Sequence, residues 1–295
     1  MGYIVKIQEE KVKKLNVDYP ARIEITNVEV DCISSLDNYG GQILIRDAKV
    51  GNIITDDSMR VISLGNNSEV ECIRIFPSHS PYKLAGELEH GTDILMDWKQ
   101  KSEPLNQEIK LLDICGRVTL ISVGRNTVKK KIDGSSIIHR LEIRENGNVG
   151  KIAVRLGGVI NHIRLSDKAY VGHIEVYNYK SQDIPVVELR DNSRVDIAGF
   201  QKTYKIHLKD CACMGPLYPG KDSEVIIEKG ARIHDLEVEE DLRKLIVDGE
   251  IKKMWVSPDA TIEHFEGNPK LTGKKKEYEI LGKVPEALER LISQL

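Results

Sequence analysis

One eight-residue phrase recurs along this chain: small, any, Val/Ile, any, any, Ile/Leu, any, Val/Ile/Leu. Copies begin at Ala48, Ser68, Gly116, Ser136, Gly147, Gly158, Ala169, Ala231, Gly249 and Ala260. The third, sixth and eighth slots are apolar in every copy except at Thr55 and Gly267. The starts at 136, 147, 158 and 169 follow one another at 11-residue steps, as do 249 and 260. Self-similarity at a fixed period marks a repeat architecture, in which no unit buries its apolar row alone.

The slots also predict the local structure. Slots six to eight alternate in, out, in, the period of a strand. The step from slot three to slot six breaks that alternation, so the chain must bend there. The leading Gly, Ala or Ser suits a corner without room for a large side chain. Strand, corner and strand, repeated, form a coil. Eleven residues are too few to enclose branched side chains, so two steps make one turn of about 20–22 residues. Stacked coils then bury the apolar rows jointly, about 4.8 Å per layer. The predicted fold is all-β: an irregular parallel β-solenoid ending in a short helix.

The segment 1–20 reads as an N-terminal cap, with a short strand from Tyr3 to Ile7 and a charged run from Glu9 to Lys14. The solenoid is expected over 21–267. Residues 77–106 carry several prolines and no clean phrase, which predicts an irregular insertion. The period blurs again between Ser181 and Gly220, where CACMGPLYPG reads as an irregular loop. Residues 268–276 form a basic linker, completing with the tail a segment 268–295. Pro285 suits a first helical turn, and Leu288, Leu291, Ile292 and Leu295 fall on one face of a helix over 284–295.

Composition narrows the function. Val and Ile dominate while aromatics are 5% of the chain, as stacked parallel strands require. A net charge of −3 argues against nonspecific nucleic-acid binding. Five cysteines spread through a large core read as reduced thiols, and the N-terminus has no apolar signal core. Both point to the cytoplasm. No stretch is long and apolar enough to cross a membrane as a helix.

The copies GNVGKIAV, AYVGHIEV and AKVGNIIT resemble those of short-coil right-handed β-helices, including bactofilin-like cytoskeletal proteins. That resemblance implies a parallel solenoid over about residues 40–265 and transfers no site residue. IHRLEIREN and VTLISVGRN resemble leucine-rich repeats of the form L-x-x-L-x-L-x-x-N. Most other copies lack the Asn, and an 11-residue step is shorter than such repeats.

Few residues suggest chemistry. Tyr177, Tyr179, Tyr204 and Trp255 are candidates for an aromatic platform that binds a sugar or a partner. His207, Cys211 and Cys213 are potential metal ligands, but their spacing departs from zinc sites and no second Cys pair follows, so no metal or other cofactor is expected. His139, His162, His173, His234 and His264 recur near slot five, where a ladder could sense pH or bind an anion. Acidic side chains recur in outward slot seven at Glu142, Glu175, Glu237 and Glu266, and Trp255 shares that slot. No phosphate-binding glycine loop, nucleophile elbow or HExxH is present. The reading is a non-enzymatic scaffold whose faces or ends bind another protein or a second copy. The alternative is a carbohydrate-binding or carbohydrate-active β-helix, including a phage-fibre-like protein.

Overall fold

A computed structural model describes residues 3–7, 11–17, 21–36, 41–56, 59–65, 67–76, 92–96, 105–124, 134–177 and 184–295. The fold is a parallel β-solenoid of about 11 turns with one short α-helix, Glu286–Ser293. The chain divides into two compact units, Met1–Asn161 and His162–Leu295.

In the first unit, sheet A stacks Tyr3–Ile7, Ala21–Thr26, Gln42–Arg46, Val61–Leu64, Thr92–Met96, Arg117–Val123 and Asn148–Val154, each paired in parallel with the next. Sheet B stacks Lys11–Val12, Glu29–Ser35, Lys49–Asp56, Ser68–Phe76, Leu105–Ile114 and Gly134–Ile143. The N-terminal segment is therefore a coil of the solenoid itself. Residues 77–91 and 97–104 of the expected insertion lie outside the described residues. Between them, Thr92–Met96 is a regular strand with Thr92, Ile94 and Met96 buried.

In the second unit, sheet C stacks Tyr170–Val176, Arg194–Phe200, Cys213–Tyr218, Arg232–Val238 and Glu250–Val256, to which Lys270–Leu271 and Tyr278–Ile280 add. Sheet D runs from His162–Leu165 through Val186–Leu189, Lys205–Leu208, Ser223–Ile227 and Leu242–Val247 to Phe265–Glu266. Two expectations change here. CACMGPLYPG is no loop: Ala212, Met214 and Leu217 fill the buried slots of a full phrase, disguised by Gly215 and by Pro216 beside the bend, where a missing N–H is tolerated. The basic linker is not a linker either, because Lys270–Leu271 pairs with Glu250–Ile251.

The phrase maps onto this architecture slot by slot. Val50 pairs with Val70 and Asn52 with Cys72, while Gly51 and Glu71 between them drop out of the ladder. That interruption is the bend, and it sets two consecutive residues outward before slot six turns in. The 11-residue step carries the chain from one sheet to the facing one: copies at 136 and 158 lie on strands Gly134–Ile143 and Gly158–Leu165, and the copy at 147 on Asn148–Val154. On sheet D the strands are shorter, such as Val186–Leu189 and Lys205–Leu208. A long strand and a short one together make a coil of 18 or 19 residues, the separation of stacked pairs such as Cys213 with Arg232 and His234 with Lys252.

Corners follow from the same constraint. A Cβ at Gly249 would stand 2.4 Å from the Ala231 carbonyl oxygen of the coil before. Corner side chains that are polar turn to carbonyls: Ser68 Oγ donates to Ile45 O at 3.0 Å and Gln107 Nε2 to Leu64 O at 2.8 Å, as buried polar groups must. The tight turns use αL residues, where short polar side chains are tolerated. Asp167, Asp191 and Asp210 have φ near 55–59°. Asp191 Oδ2 accepts the Asp167 N–H at 3.0 Å, and Asp210 Oδ2 accepts that of Asp191 at 3.3 Å.

Two predictions follow. Ile206 is fully buried and Lys205 beside it faces out. Ile206→Ala should lower unfolding free energy by about 2–5 kcal/mol through lost burial plus a cavity, whereas Lys205→Ala should stay within about 0.5 kcal/mol. Urea titrations showing equal losses would mean the in/out assignment is wrong.

At the C-terminus, Leu288 and Ile292 are buried while Leu295, expected inward, is 45% exposed. The segment leading to the helix is tied by Ile262 N–H to Lys283 O at 2.8 Å. Burial of these two side chains is what a cap over the end of the last coil requires, where apolar rows would otherwise face water. Deleting 284–295 should give aggregates or end-to-end assemblies by light scattering. A soluble species of unchanged assembly and stability would show that the helix is not a cap.

Candidate functional site

The outward residues of sheet C form files running from coil to coil, and the described grooves lie on this sheet. One groove of about 200 Å³ is centred on Trp255. Strand Glu250–Val256 alternates about its bend, which buries Met254 and Val256 and leaves Trp255 partly exposed between them. Glu237 stands in register on one side of Trp255 and Glu279 on the other. In the next coil, Tyr218 Oη lies 3.3 Å from Glu237 Oε1. Burial first, and then the Glu237 charge, raise the Tyr218 hydroxyl pKa, which keeps it a donor.

The neighbouring file brings Pro216, Asp235 and Lys253 into register. Asp235 Oδ1 stands 3.0 Å from His234 Nδ1 and 3.8 Å from Lys253 Nζ. With Lys276 and Glu277 at the rim, the groove joins one large aromatic face to carboxylate acceptors and ammonium donors. Its lining has no Ser, Thr, Cys or His among the described residues. Its charged side chains are Asp235, Glu237, Lys253, Lys276, Glu277 and Glu279.

The other aromatic candidates do not join Trp255. Tyr204 is fully buried, its ring 4.7 Å from that of Phe200. It corrects the expectation of a surface platform, and the reason is volume: this coil has Ala198 where other copies have Ile, Leu, Met or Phe, and the Phe200 and Tyr204 rings lie buried together. Tyr177 is 43% exposed just after the strand Tyr170–Val176. Tyr179 lies outside the described residues. Tyr218, Asp235 and Lys253 were missed because their slots read as generic surface; the slot shared by Glu237 and Trp255 was the available signal.

The potential metal ligands separate. His207 lies on sheet D, with Nε2 2.6 Å from Glu228 Oε1, whereas Cys213 lies on sheet C and Cys211 at the exposed corner before it. Among the described residues no His, Cys, Asp and Glu group is arranged to hold a metal ion. All five cysteines are free. No helix among the described residues is long and apolar enough to cross a membrane.

The described histidines also distribute over different sheets, each beside a carboxylate or a lysine. His139 Nε2 is 2.8 Å from Glu108, His173 Nε2 is 3.3 Å from Glu175, and His264 Nε2 is 2.7 Å from Glu266. His162 approaches Glu188 at 3.8 Å. Glu188 is buried on sheet D, and burial alone would raise its pKa. Hydrogen bonds from Lys209 at 2.9 Å and Arg190 at 2.6 and 2.8 Å outweigh that cost and bring it down to about 2.

Comparison with protein-family models, curated proteins and solved structures finds no match.

The Glu188 cluster sets a pH dependence. A carboxylate with a lowered folded pKa stabilises above its ordinary value of 4.5, and that contribution is lost as pH falls through about 2. Glu188→Gln should therefore cost about 2 kcal/mol at neutral pH, and its deficit relative to wild type should shrink from pH 5 to pH 2. Urea midpoints across that range test it; a constant deficit would assign the cost to packing alone.

Proposed function

We propose that this protein is a non-enzymatic interaction scaffold that binds a protein partner through the Trp255 groove of sheet C. The observation that supports this reading is the placement of Trp255. Charged side chains on sheet C pair with the adjacent coil, as in Lys270 with Glu250 and Lys253 with Asp235, and such exposed pairs neutralise surface without offering anchors. Trp255 breaks that pattern. It is a large, partly exposed ring with Glu237 and Glu279 in register and Lys253 and Lys276 at the rim. An aromatic anchor inside a polar rim of both signs is the anatomy of a protein-binding hot spot.

A second reading has its own support. Tyr218, Glu237, Trp255 and Glu279 alternate aromatic and carboxylate along one file, with neighbouring positions about 4.8 Å apart. Rings that stack on sugar faces, beside acceptors for hydroxyl groups, suit an extended carbohydrate.

Trp255→Ala separates the outcomes. Light scattering over a concentration series, with and without the substitution, reads self-association. Trp255 fluorescence in a Trp98→Phe background reads titration with oligosaccharides or with a candidate protein partner. Under the leading reading, the substitution weakens self-association or partner binding by about 2 kcal/mol or more. Oligosaccharide quenching of Trp255 without any effect on protein association would favour the carbohydrate reading. Unchanged behaviour in both measurements would reject the groove as a binding site.

A further inference from the structure

A second cavity on sheet C, of about 470 Å³, falls within the roughly 300–1,000 Å³ range of small-molecule sites. Two files build it. One carries Arg194, Cys213, Arg232 and Glu250 in register. The other carries Asp196, Gly215, His234 and Lys252. Gly215 opens the cavity, and no larger residue fits there: a Cβ would stand 2.0 Å from the Asp196 carbonyl oxygen.

The charges do not cancel. Asp196 accepts hydrogen bonds from Arg194 Nε at 2.9 Å and from the Tyr170 hydroxyl. Glu250 accepts from Thr272 Oγ1 at 3.0 Å and pairs with Lys270 at 3.7 Å. Both carboxylates have partners of their own, and Glu250 also stands in register with Arg232 and acts on its charge. Arg232 gives its Nε–H to Cys213 Sγ at 3.3 Å, and among the described residues it has no ion pair. Lys252 Nζ meets His234 Nε2 at 2.9 Å. A lysine ammonium has donors only, so His234 Nε2 is the acceptor of this bond; Nδ1 lies 3.0 Å from Asp235 Oδ1. Lys252 likewise has no ion pair among the described residues, though it lies within the field of Glu277. A guanidinium fork and an ammonium with open donor positions therefore line one cavity, beside a thiol.

We propose that this cavity binds a small molecule carrying a phosphate group, held by the Nη groups of Arg232 and by Lys252 Nζ, with Cys213 at the edge of the site. A guanidinium offers two parallel N–H groups to such an oxyanion and an ammonium a point charge. The cavity is several times larger than inorganic phosphate, which leaves room for an organic body over Pro216. The cavity adjoins the Trp255 groove through the His234–Asp235 contact but shares none of its lining residues.

Cys213 supplies the readout. In full-length protein with Cys211→Ser, the Cys213 thiolate attacks the methylene carbon of iodoacetate. The C–S bond forms as the C–I bond breaks, iodide leaves and the thiol proton passes to solvent. Iodoacetamide reacts in the same way without a negative charge. Peptide mass spectrometry gives both rates at Cys213 and, as an internal reference, at Cys32.

The iodoacetate-to-iodoacetamide ratio should be about tenfold higher at Cys213 than at Cys32 at low salt. Arg232→Gln should bring the ratio down toward that of Cys32. So should Lys252→Gln, an exposed substitution that keeps the test open if the arginine variant does not fold. Inorganic phosphate, used as the probe, should slow both reagents at Cys213 more than chloride at equal ionic strength. Equal ratios at the two cysteines, or equal slowing by phosphate and chloride, would overturn the proposal.

Discussion

Every coil of this protein takes its backbone hydrogen bonds from the coils beside it. A parallel strand satisfies its N–H and C=O groups only through neighbours, and here those neighbours lie one circuit of the chain away. Other features follow from that dependence. The inward rows must keep register, so the buried slots hold Ile, Val and Leu at near-zero exposure, as at Ile152, Ile163 and Ile174. The corners must let one coil approach the next, so they hold Ala, Ser and Gly. The ends must be managed, and the second unit ends in a helix that buries Leu288 and Ile292.

The fold was legible because its rule is local and repeated. Three apolar slots and a small corner specify strand, bend and strand without knowledge of distant residues. Legibility failed where one slot changed its occupant. At Ser193 and Ala212 the phrase is intact in geometry, but Ala198 stands in a slot where Ile or Leu was expected and Pro216 sits beside the bend. The compensation at Ala198 comes from Phe200 and Tyr204, and a core that fills one gap with another residue's ring cannot be read from spacing. Short strands such as Val186–Leu189 were also hard to see, because four residues carry too little alternation.

The site was legible only in part. Slot seven flagged Trp255 and Glu237, because outwardness follows from the period. What stands beside Trp255 depends on coil length, and an 18- or 19-residue step pairs residues that a 22-residue step would not. Tyr218, Asp235, Arg232 and Lys252 gain their meaning from that register. Tyr204 shows the converse error: a polar aromatic in a weakly patterned stretch looks like surface, yet it fills the interior.

The turn aspartates carry a further consequence. Asp167 and Asp191 each give their N–H to the carboxylate of the corresponding corner one coil on, so the corners stay stacked whatever the length of chain between them. Register partners in the first unit lie 20 residues apart at Val50 and Val70, but 31 apart at Val118 and Val149, with the rows undisturbed. Chain length and surface layout are thereby separated. An ancestor of this molecule could gain or lose an excursion at one corner while the outward files, and whatever they recognise, stayed in place.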